Sequence, residues 1–156
     1  MEQTLQLPDW TKVAEVELVY KTKIKASERP KINSSKDIYE IMRQLWDANK
    51  MDMLEEFKVL LLNRGNRIIG VYEVSSGGIT GTVADPRLIL AAALKSLSVA
   101  IVLCHNHPSG NLTPSRADEQ LTRKIKEAAA YHDISVLDHI ILTSEAYYSF
   151  ADEGLL

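Results

Sequence analysis

Apolar positions along this chain of 156 residues follow two rhythms, one helical and one alternating, punctuated by proline, glycine and charge. Ile38, Ile41, Met42, Leu45 and Trp46 recur at helical spacing behind Ser34-Ser35, with Asp37 in the first turn. That pattern predicts a capped helix over residues 35–49 whose apolar stripe is core packing. Residues 55–63 are a β-like run opening on Glu55 and Glu56, and Arg64-Gly65-Asn66 is turn chemistry. Residues 67–75 return as a second strand, making a hairpin, and Ser76-Gly77-Gly78 interrupts it as a bulge or second turn. Asp85 as cap and Pro86 at the first helical position start a helix. Its residues 88–94 are apolar nearly all round, which predicts burial on every side.

A strand over residues 99–103 follows, then a Pro/Gly turn and a helix over 115–132 with Leu121, Ile125 and Ala128-Ala129 inward. Residues 134–137 and 140–142 supply one last strand or two. Tyr147 to Phe150 and Gly154-Leu155-Leu156 read as a tail closing over the core. At the other end, residues 1–12 are a polar lead-in, residues 13–20 alternate as a strand, and residues 21–30 form a charged linker ending in Pro30. Strands alternating with helices argue a three-layer α/β arrangement. The expected division is an N-terminal strand and linker segment over 1–31 and one domain over 32–156.

Composition narrows the classes. Apolar and charged fractions of 46% and 25% are those of an ordinary soluble globular protein. A net charge of −3 without a Lys/Arg block gives nucleic-acid binding no support. The one cysteine, Cys104, excludes an intrachain disulfide and a Cys-rich zinc ribbon, and fits a reducing compartment. No basic n-region with an apolar core opens the chain, and no apolar run nears the ~18 residues that a membrane span needs. A cytoplasmic protein without a membrane partner is the expectation.

The chemistry gathers in residues 104–118. His105 and His107 share one face if the strand extends that far, since side chains alternate. Ser115 and Asp118 share one face of the following helix. Two imidazoles, a carboxylate and room for water make an open, hydrolytic type of Zn2+ site rather than a closed structural one. Asn106 points away from it by the same alternation, and Cys104 is expected as a small buried thiol facing away.

The run His-x-His-Pro followed by Ser-x-x-Asp resembles the motif of the JAMM metalloproteases. The fuller string His105-Asn106-His107-Pro108-Ser109-Gly110, with Pro114-Ser115 and Asp118, resembles their bacterial RadC-like branch. The resemblance extends from Ile32 to the C-terminus and includes Asp85-Pro86-Arg87 and Leu137-Asp138-His139. It implies the JAB/MPN fold, a mixed, partly curled sheet packed by helices in a cytidine-deaminase-like architecture. It also implies a zinc-dependent hydrolase cleaving a peptide or isopeptide bond in a protein or peptide substrate, with His105, His107 and Asp118 as metal ligands.

Amide hydrolysis needs a general base beside the metal. The resemblance implies Glu55, where a Glu-x-Phe opens a long apolar strand; Glu56 and Glu73 are the alternatives. Ser115 is expected to donate to the developing oxyanion, to cap its helix, or both. His139 is expected as a satisfied structural histidine with a role behind the ligands second. The competing class is a JAB-fold accessory or binding protein of DNA repair or processing without proteolytic activity. That label brings nucleic acid in as a partner, although no Gly-x-Gly hairpin signal precedes Ile32 and the charge does not support it. Completeness of the ligand set favours the enzyme.

Overall fold

The structure is a computed structural model and describes Glu17, Lys21, residues 23–77 and residues 81–156. The lead-in and the strand expected over 13–20 lie outside the described residues, apart from Glu17. Helix α1 (Ser35–Leu45) begins with a capping box: Ser34 Oγ accepts from the Asp37 amide, and the Asp37 carboxylate accepts from the Ser34 amide. The helix does not reach residue 49 as expected. Trp46 turns out of helical geometry (φ −81°, ψ 136°), and Asp47 caps a separate short helix, α2 (Ala48–Met51), by accepting from the Asn49 amide. The break sends the Trp46 side chain into the core, where it is almost wholly covered. Burial of an indole and a new cap together outweigh one more turn of propensity.

Five strands form one mixed sheet: β1 (Glu56–Leu62), β2 (Ile68–Ser76), β3 (Ala100–Asn106), β4 (Ser135–Leu142) and β5 (Tyr147–Ser149), in the order β2-β1-β3-β4-β5. β1 runs antiparallel to both β2 and β3, and β3 runs parallel to β4. Two more helices, α3 (Pro86–Lys95) and α4 (Arg116–Ala130), complete the order, with α4 as the crossover between β3 and β4. The strands expected at 134–137 and 140–142 are one continuous strand. Part of the expected tail is β5, which pairs with β4 and buries Phe150 just beyond it.

Each residue of β1 and β3 is buried, because helices cover both sheet faces. Leu60, Leu62, Val102 and Cys104 pack with Ile38, Met42 and Trp46 on the α1 face. Phe57, Val59, Ile101 and Leu103 pack with Ile89, Ala93, Ile125 and Ala129 on the α3/α4 face. This is the three-layer α/β arrangement that the alternation implied. One expectation is corrected here. α3 is not buried all round: Ile89 and Ala93 are covered, whereas Leu88 and Leu94 remain 47% and 44% exposed. A helix lying on one sheet face has no second layer to cover its outer side. No helix among the described residues is long and apolar enough to cross a membrane.

Candidate metal centre

The alternation of β3 sends Ile101, Leu103 and His105 to the α4 face and Val102, Cys104 and Asn106 to the α1 face. His107 lies just past the strand, but its amide donates to the Leu142 carbonyl at 2.9 Å, so the chain stays beside β4. Its side chain therefore returns to the His105 side. A turn through Pro108-Ser109 closes with the Gly110 amide donating to the His107 carbonyl at 3.0 Å. Gly110 takes φ +80°, the left-handed conformation that glycine adopts without a Cβ clash.

The chain then enters α4 through a second capping box. Ser115 Oγ accepts from the Asp118 amide at 3.1 Å, and Asp118 Oδ2 accepts from the Ser115 amide at 2.7 Å. This anchors the Asp118 carboxylate with Oδ1 3.4 Å from His105 Nε2 and Oδ2 3.7 Å from His107 Nε2. The two Nε2 atoms are 3.0 Å apart. His105, His107 and Asp118 thus offer three ligand atoms within 4.8 Å of one another, a cluster able to hold a metal ion.

Hydrogen bonding behind the cluster decides which nitrogens carry protons. Thr122 Oγ1 donates its single proton to the Asp118 carbonyl at 2.6 Å. It must then accept from His139 Nδ1, also at 2.6 Å. His139 is fully buried, and burial pushes its imidazole well below the usual histidine range, so it is neutral and its Nε2 accepts. His105 Nδ1 donates to that Nε2 at 2.8 Å, which leaves Nε2 as the His105 nitrogen turned to the cluster. At the second ligand, His107 Nδ1 faces the Asn111 carbonyl at 2.6 Å and can only donate. Its Nε2 is likewise the nitrogen turned to the cluster.

Two imidazole nitrogens 3.0 Å apart beside a carboxylate call for positive charge between them, either a proton or a metal ion. Burial works against charge at both His107 and Asp118, yet other forces outweigh it. The Asp118 carboxylate and the Asn111 carbonyl raise the His107 pKa, and His105 and His107 hold the Asp118 carboxyl far below its usual range. The donor set fits a cation, and two imidazole nitrogens with one carboxylate oxygen are a chemistry that zinc accepts.

The β1–β3 register pairs Phe57 with His105. Glu55 lies just before β1 and His107 just after β3, beyond the last residues paired between the two strands. An open cleft of about 330 Å³ is lined by Glu55, His107, Pro108, Ser109, Asn111, Thr113 and Ser115. Glu56 faces the other way, buried between Lys58 at 3.6 Å and Lys50 at 3.7 Å. Glu73 accepts from Lys58 Nζ at 2.8 Å in that same group. Ser115 caps α4 and lines the cleft, so its two expected roles are spatially compatible.

Residues 32–155 match the family model of the RadC-like JAB domain. The chain belongs to the RadC-like JAB domain family. It is similar to a UPF0758 protein of Flavobacterium johnsoniae, 47% identical over 125 residues that cover 80% of this chain and 53% of that protein. A UPF0758 protein of Porphyromonas gingivalis is 48% identical over 103 residues, covering 65% of this chain and 45% of its own length. One of Clostridium beijerinckii is 37% identical over 126 residues, covering 81% of this chain and 54% of its own length. The chain spans about half the length of the curated relatives it matches, and their designation states no activity.

In this RadC-like JAB domain the residues that the linear motif missed are those behind the ligands. Thr122 was not singled out, although it lies four residues after Asp118 and so on the same helix face. His139 is more than a satisfied core histidine, since its Nε2 orients His105. Asn106 does point away from the metal face, but into a set of hydrogen bonds that no spacing rule announces. Cys104 lies on the α1 face, where burial raises its thiol pKa well above the usual value.

Proposed function

We propose that this protein is a zinc-dependent hydrolase of peptide or isopeptide bonds. His105, His107 and Asp118 hold the ion, Glu55 is the general base, and Ser115 is the oxyanion donor. The observation that carries the reading is the pair of converging Nε2 atoms beside the Asp118 carboxylate, a donor set that fits a cation. When bound, the ion supplies Lewis-acid activation of water and lowers its pKa towards neutrality.

The rest is work for the chain's own groups. The Glu55 carboxylate takes a proton from the attacking water as oxygen bonds to the carbonyl carbon. As the C–N bond breaks, Glu55 returns that proton to the leaving nitrogen. Ser115 donates its Oγ–H to the oxygen on which negative charge develops. The polar cleft shared by Glu55, His107 and Ser115 is open along the Pro108–Asn111 turn, which suits an extended chain better than a small enclosed ligand.

The test is metal analysis of the purified chain together with a fluorogenic library of peptide and isopeptide bonds. One zinc per chain is expected, with hydrolysis that a chelator abolishes and added zinc restores. Zinc at a hundredfold excess over its dissociation constant stabilises the fold by about 2.7 kcal/mol, so the melting temperature falls on chelation. A chain that purifies without zinc and gains no stability from it overturns the enzyme reading in favour of a metal-free binding module.

The proton chain behind His105 carries its own expectation. His139→Leu keeps an apolar side chain of similar bulk against Phe150 but removes the acceptor for His105 Nδ1–H. Zinc affinity is expected to fall about 10–100-fold, read by competition with a chromophoric chelator. Unchanged affinity would show that His105 needs no partner to present Nε2.

A further inference from the structure

We infer that Asn106 is a positioning residue that sets where the Glu55 carboxylate stands relative to the two histidines flanking it. The inference rests on the reading of Glu55 and the metal ligands given above. Asn106 sits between His105 and His107 in sequence, but its side chain points to the opposite sheet face, where it is 0% exposed. There, among the described residues, its amide bonds to the segment that carries Glu55. Oδ1 accepts from the Glu56 amide at 2.7 Å, and Nδ2 donates to the carbonyls of Met51 and Leu54, both at 2.7 Å. One amide N–H can only donate and two carbonyls can only accept, so the side-chain amide has one orientation.

Glu55 lies between two of those partners. The peptide carbonyl before it, on Leu54, and the peptide amide after it, on Glu56, are both held by Asn106. Its own carbonyl accepts from the Gly77 amide at 2.8 Å. The β1–β3 ladder has its last paired residues at Phe57 and His105, so Glu55 lies just beyond regular strand pairing. The Asn106 side chain continues the connection where the ladder stops. It ties the base-bearing segment to the strand that bears both imidazoles.

The residue type follows from this task. Aspartate at 106 keeps an acceptor for Glu56 but loses both donors. Leucine loses all of these bonds and leaves buried backbone groups unpaired. Alanine and serine are too short to reach Met51 and Leu54 together. A substitution at 106 leaves the three ligand side chains in place, since they lie on the other face of β3 and on α4. The expected consequence is a misplaced Glu55 beside an intact metal cluster.

A merely structural role predicts lost stability alone, so the test reads the metal site directly, without a substrate. Cobalt(II) is loaded into the full chain and into Asn106→Ala, Glu55→Gln and the double variant, and visible absorption is followed against pH. All four are expected to take up one cobalt. The Asn106→Ala midpoint should move in the same direction as that of Glu55→Gln, by about one pH unit. The double variant should match Glu55→Gln alone, because a residue acting through Glu55 has nothing left to act on. Asn106→Ser, smaller and neutral, replaces Asn106→Ala in both backgrounds if the alanine variant does not fold. A midpoint equal to that of the parent, or a shift of equal size with and without Glu55, overturns the positioning role alone. A parent chain that binds no cobalt overturns it together with the metal-site reading.

Discussion

Glu55→Gln is expected to keep one zinc per chain and to lose about 10²–10⁴-fold in turnover of the peptide library. The substitution is nearly isosteric and lies outside the ligand cluster of His105, His107 and Asp118, so metal content should not change. What changes is proton transfer, because an amide cannot take a proton from water and return it to the leaving nitrogen. The geometry behind the expectation is the cleft whose wall Glu55 shares with His107 and Ser115. Glu56 and Glu73 are engaged with Lys58 away from that wall, and hydrogen bonding from Lys58 lowers the Glu73 pKa. Zinc content and turnover are measured on the same sample. Full activity would return the role of base to one of those two glutamates, and loss of zinc would make Glu55 a ligand instead.

His107→Ala is expected to abolish stoichiometric zinc and, with it, all metal-dependent hydrolysis. Removing a ligand should cost more than the roughly 10–100-fold that a change behind the ligands costs. The fold should survive, since His107 belongs to neither core cluster and its backbone bond to Leu142 does not involve the imidazole. In the metal-free state the variant also loses the interaction of His107 with the Asp118 carboxylate, which raises the His107 pKa. Its melting temperature without metal should therefore lie below that of the metal-free parent at acid pH, and the difference should shrink as the pH rises through the His107 pKa. Elemental analysis beside thermal denaturation with and without zinc, followed across pH, checks both statements. Zinc retained at parental stoichiometry would remove His107 from the ligand set.

Much of the fold was legible because it is local or periodic. The helix of residues 35–45 is written in Ser34, Asp37 and the spacing of Ile38 and Met42. The hairpin is written in two apolar runs around Arg64-Gly65-Asn66, and α3 in Asp85-Pro86. The errors came where a neighbour decides. Trp46 ends α1 because the core takes its indole, and Leu88 and Leu94 stay exposed because nothing packs outside α3. Tyr147 to Ser149 becomes a strand because β4 offers an edge, which a short aromatic stretch does not reveal.

The candidate site divides the same way. His105, His107, Ser115 and Asp118 could be read from the chain because each pair's convergence depends only on strand alternation or on one helical turn. Those rules act over two to four residues and need no knowledge of what packs where. Tertiary structure alone brings Glu55 to the cleft that His107 lines, and only there does Asn106 hold the segment around Glu55. It also brings His139 and Thr122 together to fix the proton on His105. These relations join residues 17 to 55 positions apart, and strand register and helix packing set them. Local spacing determines which atoms can bind a metal. The tertiary structure decides which of their nitrogens face one another, and which carboxylate stands beside them.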